Sequence, residues 1–512
     1  MSNKTLDHPT FIDKFRYLAL GPRDLLLKII CSSYSSFLWG FEKLSPRYME
    51  WTSNIRARRA FSQAYRRVPA YRDLIKKSNL QGKIIPETDK KNYIDKYPPH
   101  ERCAGGIIPH KHIMIDESSG STGTPYNWIR SLKERHDSHL FISYFASYCY
   151  GRKPWITINA FSMGAWATGL NMGIALQQNS IVKNTGPDIE KILHTMKYLG
   201  EGYTYVILGY PPFLKHLLDF AVRKNFPIHR YNMDALVGGE GMSEGLRDYL
   251  LHSFKRVYSG YGATDLEIGI AGETPLSVAL RRLARENSEV RDVVFGKDSR
   301  LPMVFQYNPL MHYIEINEKR ELIFTITRSS VLSPRIRYNI HDEGGVARYD
   351  EIADQLTSLG INIQNLIPKS VGKQRLRLPF VWVYGRRDST VSVMGANIYP
   401  EDIEQALYSV PELAQITSSY CLSLDESQNN QVRPCFSFEV TDEINDELAS
   451  KFKKEILSHL TVINADFREG RQEYPDALDP IIKLYPPSHG PFKRDSGKIK
   501  QVRLLGLDGK KA

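Results

Sequence analysis

Between Ile113 and Asp388, short apolar runs alternate with stretches of helical periodicity, and this alternation is what most limits the folds open to the chain. W-I-T-I-N-A from Trp155, Y-V-I-L-G-Y from Tyr205, A-L-V-G-G-E from Ala235 and R-V-Y-S-G-Y-G from Arg256 each close on glycine or a polar turn. Strands that take turns with helices pair in parallel, because a parallel neighbour is reached only through a crossover. Ligands then collect at the carboxyl ends of the strands. A layered α/β domain with parallel pairing is expected over residues 101–388. Ahead of it, residues 1–100 read as a helical lead-in: W-T-S-N-I-R-A-R-R-A-F-S-Q-A-Y-R-R keeps apolar residues at helical spacing until V-P-A-Y breaks it. After Asp388 the pattern resets. I-Y-P-E-D-I-E-Q-A-L places proline at a helix start, C-F-S-F-E-V alternates like a strand, and E-L-A-S-K-F-K-K-E-I-L is helical, so a small α+β domain is expected over residues 389–512.

Composition narrows the partners. With 512 residues, 42% hydrophobic and 24% charged, the chain can bury more than one core. The net charge of +11 favours anionic partners: nucleic acid, an acidic membrane surface or a polyphosphate. Basic clusters such as Arg66-Arg67 and Lys510-Lys511 are short and lack interleaved aromatics, so nucleic acid is not the expected partner. Five cysteines, odd in number and without a C-x-x-C pair, exclude a disulfide framework and fit a reducing cytoplasm. Cys103, His110 and His112 lack a matched second pair and read as loop residues rather than a metal cluster. The apolar stretch Leu25–Phe41 is interrupted by Lys28 and four serines, too short and polar for a membrane span. It reads as a helix packed on the main body, with a helix lying on a membrane surface as the alternative.

Five hydroxyl residues and two glycines fill the seven positions Ser118–Thr124. Successive small residues can turn several N–H and hydroxyl groups into one concavity, the geometry that holds phosphate oxygens. G-x-x-x-x-G-K-[ST] is absent, so this is not a P-loop, and a Ser/Gly turn taken alone equally describes a surface loop.

Its companions decide between these. S-S-G-S-T-G-T-P at Ser118–Pro125 resembles the phosphate loop of the adenylate-forming superfamily, which includes acyl-CoA and aryl-CoA ligases and the adenylation domains of peptide synthetases. Further signatures of that superfamily follow in order: V-G-G-E-G at Val237–Gly241, Y-S-G-Y-G-A-T-D at Tyr258–Asp265, Y-N-I-H-D at Tyr338–Asp342, Y-G-R-R-D-S-T-V-S-V-M-G-A-N-I-Y-P-E-D-I-E at Tyr384–Glu404, and F-K-R-D-S-G-K-I-K at Phe492–Lys500. Within the superfamily the chain is most similar to the phenylacetate-CoA ligase branch, through V-P-A-Y-R at Val68–Arg72, P-E-T-D-K at Pro86–Lys90 and the glycine-rich segment Phe161–Gly173, which looks like that branch's acyl-pocket segment. The likeness holds over residues 60–270 and 330–410. It fails across 272–310, where members of the branch carry a cysteine and a histidine and this chain carries a charged insert without cysteine. The insert reads as an amphipathic helix covering a core edge.

The resemblance implies an α/β fold with a large multi-layered N-terminal domain of parallel-type sheets and a small mobile α+β C-terminal domain. It also implies a role for each matched position. Ser118, Ser119, Gly120, Thr122, Gly123 and Thr124 would hold the β- and γ-phosphates of ATP, and Thr264 the α-phosphate. Asp265 stands where relatives carry a magnesium-binding glutamate, with a helix N-cap as its structural alternative. Gly239, Glu240 and Gly241 would form the ledge under adenine, and Tyr261 would stack on its face or else be core. Asp342 would bind the ribose hydroxyls with Arg386 in support, and Asp388 would be the hinge. Lys498 would reach the carboxylate and the α-phosphate, and the turn at Gly395 would line a thiol tunnel.

The implied enzyme is an AMP-forming acid–thiol ligase. It would use ATP and Mg2+ to adenylate a hydrophobic or aromatic carboxylic acid and pass the acyl group to coenzyme A. Phe141–Tyr150 and Phe161–Gly169, rich in apolar rings, are the expected pocket segments, although the same residues could be core. Two alternatives stay open: adenylation with a carrier-protein thiol, an amine or no acceptor, and a nucleotide-binding scaffold that kept the fold.

Overall fold

A computed structural model describes Tyr17 and residues 32–78, 84–118, 126–164, 167–298, 300–367, 376–386, 391–393, 396–428, 431–493 and 503–505. Within residues 1–100 the described α-helices are Tyr34–Lys43, Pro46–Arg67 and Pro69–Lys77. Helix Pro46–Arg67 starts with proline at its first position and buries Met49, Ile55, Phe61 and Ala64 on one face. It ends at Val68, because the following Pro69 pushes its predecessor out of the helical region; Val68 has φ −108° and ψ 111°. Before it, helix Tyr34–Lys43 buries Phe37, Leu38 and Phe41 and leaves Trp39 exposed. Among the described residues no helix is long and apolar enough to cross a membrane.

Strands β1 (Ile113–Glu117) and β2 (Asn127–Ser131) form an antiparallel hairpin. The main sheet then takes β3 (Ile156–Asn159), β4 (Ile181–Asn184), β5 (Thr204–Gly209), β6 (Asn232–Gly238), β7 (Val257–Ala263), β8 (Glu267–Gly272), β9 (Met303–Tyr307), β10 (His312–Ile316), β11 (Glu321–Ile326), β12 (Tyr338–Ala347) and β13 (Phe380–Arg386). Its order is β10-β11-β12-β13-β9-β8-β7-β6-β5-β3-β4. The four strands read from the alternation are β3, β5, β6 and β7, and with β4 they pair in parallel. From β8 onward every pairing is antiparallel, which the parallel expectation did not contain. The physical reason is the connection: only the turn Thr264–Leu266 separates β7 from β8, and a turn permits antiparallel return alone.

The insert forms two helices, Pro275–Glu286 and Ser288–Phe295. Thr274 caps the first in a capping box with Ser277, and Asn287 caps the second. Leu276, Leu280, Val290, Val294 and Phe295 pack with Val304, Phe380 and Trp382, so the insert covers a face of the antiparallel half. A second core gathers residues from Val391 to Leu478, among them Ile403, Leu407, Phe436, Phe438, Phe452 and Ile456. It includes the hairpin β14 (Val391–Val393) with β15 (Ala396–Ile398), and the sheet of β16 (Thr417–Gln428), β17 (Gln431–Val440) and β18 (Ile481–Tyr485). Pro400 opens the helix Pro400–Tyr408 as expected. That helix docks on Glu244–Leu250: Ser243 and Gly245 donate backbone N–H bonds to Glu404 and Gln405 at 2.8 and 2.9 Å. Four described cysteines, Cys103, Cys149, Cys421 and Cys435, are free and buried.

Candidate functional site

The carboxyl ends of β6 and β7 open onto a cavity with about 790 Å3 of empty space, its mouth included. Phe141, Ile142 and Phe145 wall it from helix Leu132–Tyr150, and Phe161, Thr168 and Met172 from the glycine-rich segment. Both pocket segments singled out from the sequence therefore line one apolar space. Glycine makes the room: a Cβ on Gly272 would lie 2.9 Å from the Phe145 ring.

Gly238 and Gly239 form the cavity's rim at the end of β6. Gly239 has φ +84°, and a Cβ there would sit 2.5 Å from Tyr210, so glycine is required twice over. Gly241 faces the helix Pro400–Tyr408, its Cβ position 3.8 Å from Glu401. Glu401 reaches water through the crevice between them although protein surrounds it, and burial pushes its carboxyl up to about 7. Glu240 lies on the same side, within the field of Arg503.

Tyr261, half-buried in β7, also lines the cavity. Phe305 covers one side of its ring at a centroid distance of 5.5 Å, and its hydroxyl donates to Asp342 at 2.7 Å. Asp342 stands opposite Arg386 in the β12–β13 register. His341, just before it, holds φ +65°, a left-handed conformation unusual for a residue with a Cβ.

Thr264 and Asp265 occupy the turn between β7 and β8. No helix follows, so the N-cap reading of Asp265 is not realised. Asp265 is buried; its Oδ2 lies 3.1 Å from the Lys90 ammonium and accepts from the Tyr338 hydroxyl at 3.3 Å. Among the described residues no group of three His, Cys, Asp or Glu side chains could hold a metal. Lys90 is thus the ion-pair partner of the Asp265 carboxylate. Cys103 lies buried with its thiol on the Pro99 carbonyl while His110 and His112 are exposed, so these three do not converge.

Two buried arginines grip the turn from beneath. Arg130 in β2 donates to the Thr264 carbonyl at 2.6 Å and to Asp116 at 3.1 Å. Arg335 donates to the Asp265 carbonyl at 2.8 Å and stacks over Trp128 at 4.8 Å. Burial first, then repulsion from Arg130, lowers the Arg335 guanidinium to about 10. Arg130 thereby ties the turn to the hairpin whose tip carries the hydroxyl-rich loop. Ser118, at the root of that loop, is buried, donates its N–H to Tyr126 O at 2.9 Å and accepts from Tyr126 N at 3.0 Å.

The structure thus brings Gly239 and Tyr261 to the cavity, holds Asp342 on the Tyr261 hydroxyl, and sets the Thr264–Asp265 turn just after β7, tied through Arg130 to the Ser118 hairpin. Ser119, Gly120, Thr122, Gly123, Thr124, Asp388, Gly395 and Lys498 lie outside the described residues. Lys90, Arg130, Arg335 and Glu401 had no role in the sequence reading. Lys90 was inside a quoted motif; nothing in sequence separates a buried arginine from a surface one.

No family model matches the sequence, and no curated protein matches it. Among solved structures the chain is similar to 2-hydroxyisobutyryl-CoA ligase in the postadenylation state, bound to R3-HIB-AMP, at 11% identity over 91% of both chains with a TM-score of 0.65. It is also similar to that ligase with 2-HIB-AMP and CoA in the thioesterification state, at 12% identity over 91% of both chains and a TM-score of 0.53. The chain therefore has the mixed α/β fold of these adenylate-forming acyl-CoA ligases.

Proposed function

We propose that the protein is an AMP-forming ligase that activates a hydrophobic or aromatic carboxylic acid with ATP and transfers the acyl group to coenzyme A. The observation that carries this reading is the apolar cavity lined by the Gly239 rim, Tyr261 and Phe141, beside the strand that leads into the Thr264–Asp265 turn. An acid whose tail fills that cavity presents its carboxylate at the turn. The neighbours' bound acyl-AMP and CoA support the same sequence of steps.

In the first step a carboxylate oxygen bonds to the α-phosphorus of ATP and the bond to the leaving pyrophosphate breaks. Both reactants are anions, so screening dominates the barrier. The Ser118–Thr124 loop, with Ser119, Gly120, Thr122 and Gly123, would hold the leaving phosphates, Thr264 the α-phosphate, and Lys498 the charge that develops between carboxylate and phosphorus. Gly239, Glu240 and Gly241 would seat adenine against Tyr261, and Asp342 with Arg386 would hold the ribose. In the second step the CoA sulfur bonds to the acyl carbon, AMP leaves with the bonding pair, and the thiol proton passes to solvent. Residues 389–512 would turn about Asp388 to bring the Gly395 segment to the thiol path. A carrier-protein thiol or an amine would serve the same second step.

ATP–pyrophosphate exchange across aryl and fatty acids tests the first step whatever the acceptor; CoA-dependent AMP release then identifies the thiol. Lys498→Ala should lower exchange by about 100- to 1,000-fold while leaving conversion of supplied acyl-adenylate and CoA near wild type. Absence of exchange with every acid while ATP still binds would leave the scaffold reading in its place.

A further inference from the structure

The Thr264–Asp265 turn rests on more buried positive charge than its acids neutralise. Arg102, Arg130, Arg135 and Arg335 are all buried, and Lys90 lies half-covered beside them. The buried acids of the group are Asp116, Glu134 and Asp265, with the exposed Asp95 at its edge. Arg130 uses two of these acids, Asp116 at 3.1 Å and Glu134 at 3.7 Å, and Lys90 uses the third. Among the described residues Arg335 and Arg102 have no carboxylate within ion-pair distance. Arg335 bonds only oxygens of Asp265 and Ser333, the former a carbonyl, and the Arg102 Nε lacks any hydrogen-bond partner. Nη2 of Arg135 is likewise without one.

Uncompensated guanidinium charge in a protein interior is costly, and such groups repel one another across the low-dielectric medium between them. The fold therefore maintains an arrangement that an anion above the turn would relieve. We propose that the four buried arginines are a fixed electrostatic floor for the nucleotide's phosphates, with Arg335 acting on the ligand by charge alone through the turn it supports. This rests on the ATP-dependent reading given above and adds to it a class of positioning residue that the matched motifs do not contain. Arg335 touches no substrate; its effect should grow with the charge of the bound species, whereas a merely structural grip on the turn would affect every ligand alike.

The test measures binding of adenosine, AMP, ATP and inorganic pyrophosphate to the wild type and to Arg335→Gln and Arg335→Lys, with melting curves to establish folding. Arg335→Gln should leave adenosine affinity unchanged, weaken AMP, and weaken ATP and pyrophosphate most. The loss per ligand charge should be about tenfold, the effect of one unit charge on another across about 12 Å at an effective dielectric constant of about 20. Arg335→Lys, which keeps the charge and loses the fork, should recover most of the ATP affinity. If Arg335→Gln fails to fold, Arg102→Gln carries the same comparison. Equal losses for adenosine and ATP, or no loss for either, overturn the floor and leave the enzyme reading standing. A wild type that binds pyrophosphate but no adenine compound overturns the enzyme reading and leaves the floor; one that binds none of the four overturns both.

Discussion

Ionic clusters stand at opposite ends of β8, and they are built on different principles. Beyond its carboxyl end, Glu244, Glu273 and Asp248 meet Arg247, Arg281, Arg282 and Arg285, and every guanidinium lies within 3.2 Å of a carboxylate oxygen. Arg247 alone bridges Glu244 at 2.9 Å and Glu273 at 2.5 Å. This cluster fastens the insert helix Pro275–Glu286 to helix Glu244–Leu250, and no charge in it looks for a further partner. Before the amino end of β8, Arg102 and Arg335 have, among the described residues, no carboxylate within ion-pair distance. A closed cluster holds two helices together; an open one with the same residue types holds charge in readiness. The difference lies in the pairing, not in the arginine count.

The sharpest way to break this contrast is to remove one acid from the closed cluster. Glu244→Gln should destabilise the fold by about 3–5 kcal/mol in urea unfolding, because Arg281 and Arg247 are left buried and under-paired. Nucleotide affinity per folded molecule should not change. If affinity falls as it does for Arg335→Gln, the two clusters are not distinct in kind.

The same acid gives the contrast a pH signature. Burial by itself would raise the Glu244 carboxyl, but Arg247 and Arg281 outweigh it and hold it at about 2. A carboxylate depressed in the folded state stabilises above its unfolded value, about 4.3, and that stability is lost as pH falls towards about 2. Wild-type unfolding midpoints should drop through this window more steeply than those of Glu244→Gln.

Next in size is the cavity between the clusters. Gly272→Ala places a methyl 2.9 Å from Phe145, which should cost about 1–3 kcal/mol and shift exchange towards smaller acids. An unchanged order of acid preference would mean the substrate tail lies elsewhere.

The smallest expected effect concerns Glu401 in the crevice. Burial raises its carboxyl to about 7, so stability present below its unfolded value is lost as pH rises through about 7. Because this side chain reaches solvent, the effect should be modest: the melting temperature of Glu401→Gln should gain on the wild type between pH 5 and 8. A parallel decline in both proteins would count against it.

Much of this was legible in advance, for reasons that differ by element. The runs that became β3, β5, β6 and β7 were apolar over a strand's length and ended on glycine or a polar turn, which is local information. Pro400 marks a helix start through its own fixed φ, and Pro69 in V-P-A-Y marks the end of the helix before it. The ring-rich segments of helix Leu132–Tyr150 and Phe161–Gly169 announced apolar burial, though not whether the buried side met core or cavity. The antiparallel half of the sheet was not read, because its strands are contiguous in chain with the insert and offer no crossover rhythm. At Asp265 the carboxylate's chemistry was visible in the sequence, but its Lys90 counter-charge was not.

The sequence by itself determined the strands β3, β5, β6 and β7, where glycine must stand, as at Gly239, and that hydroxyls crowd the seven positions from Ser118. These follow from single residues and their immediate neighbours. The tertiary structure alone decided that Arg130 meets Thr264 from 134 positions away and that Arg335 meets Asp265 from 70. It likewise decided that Lys90 takes the Asp265 carboxylate. A charge acquires its effect from the dielectric and the partners around it, and both are set only when distant segments pack.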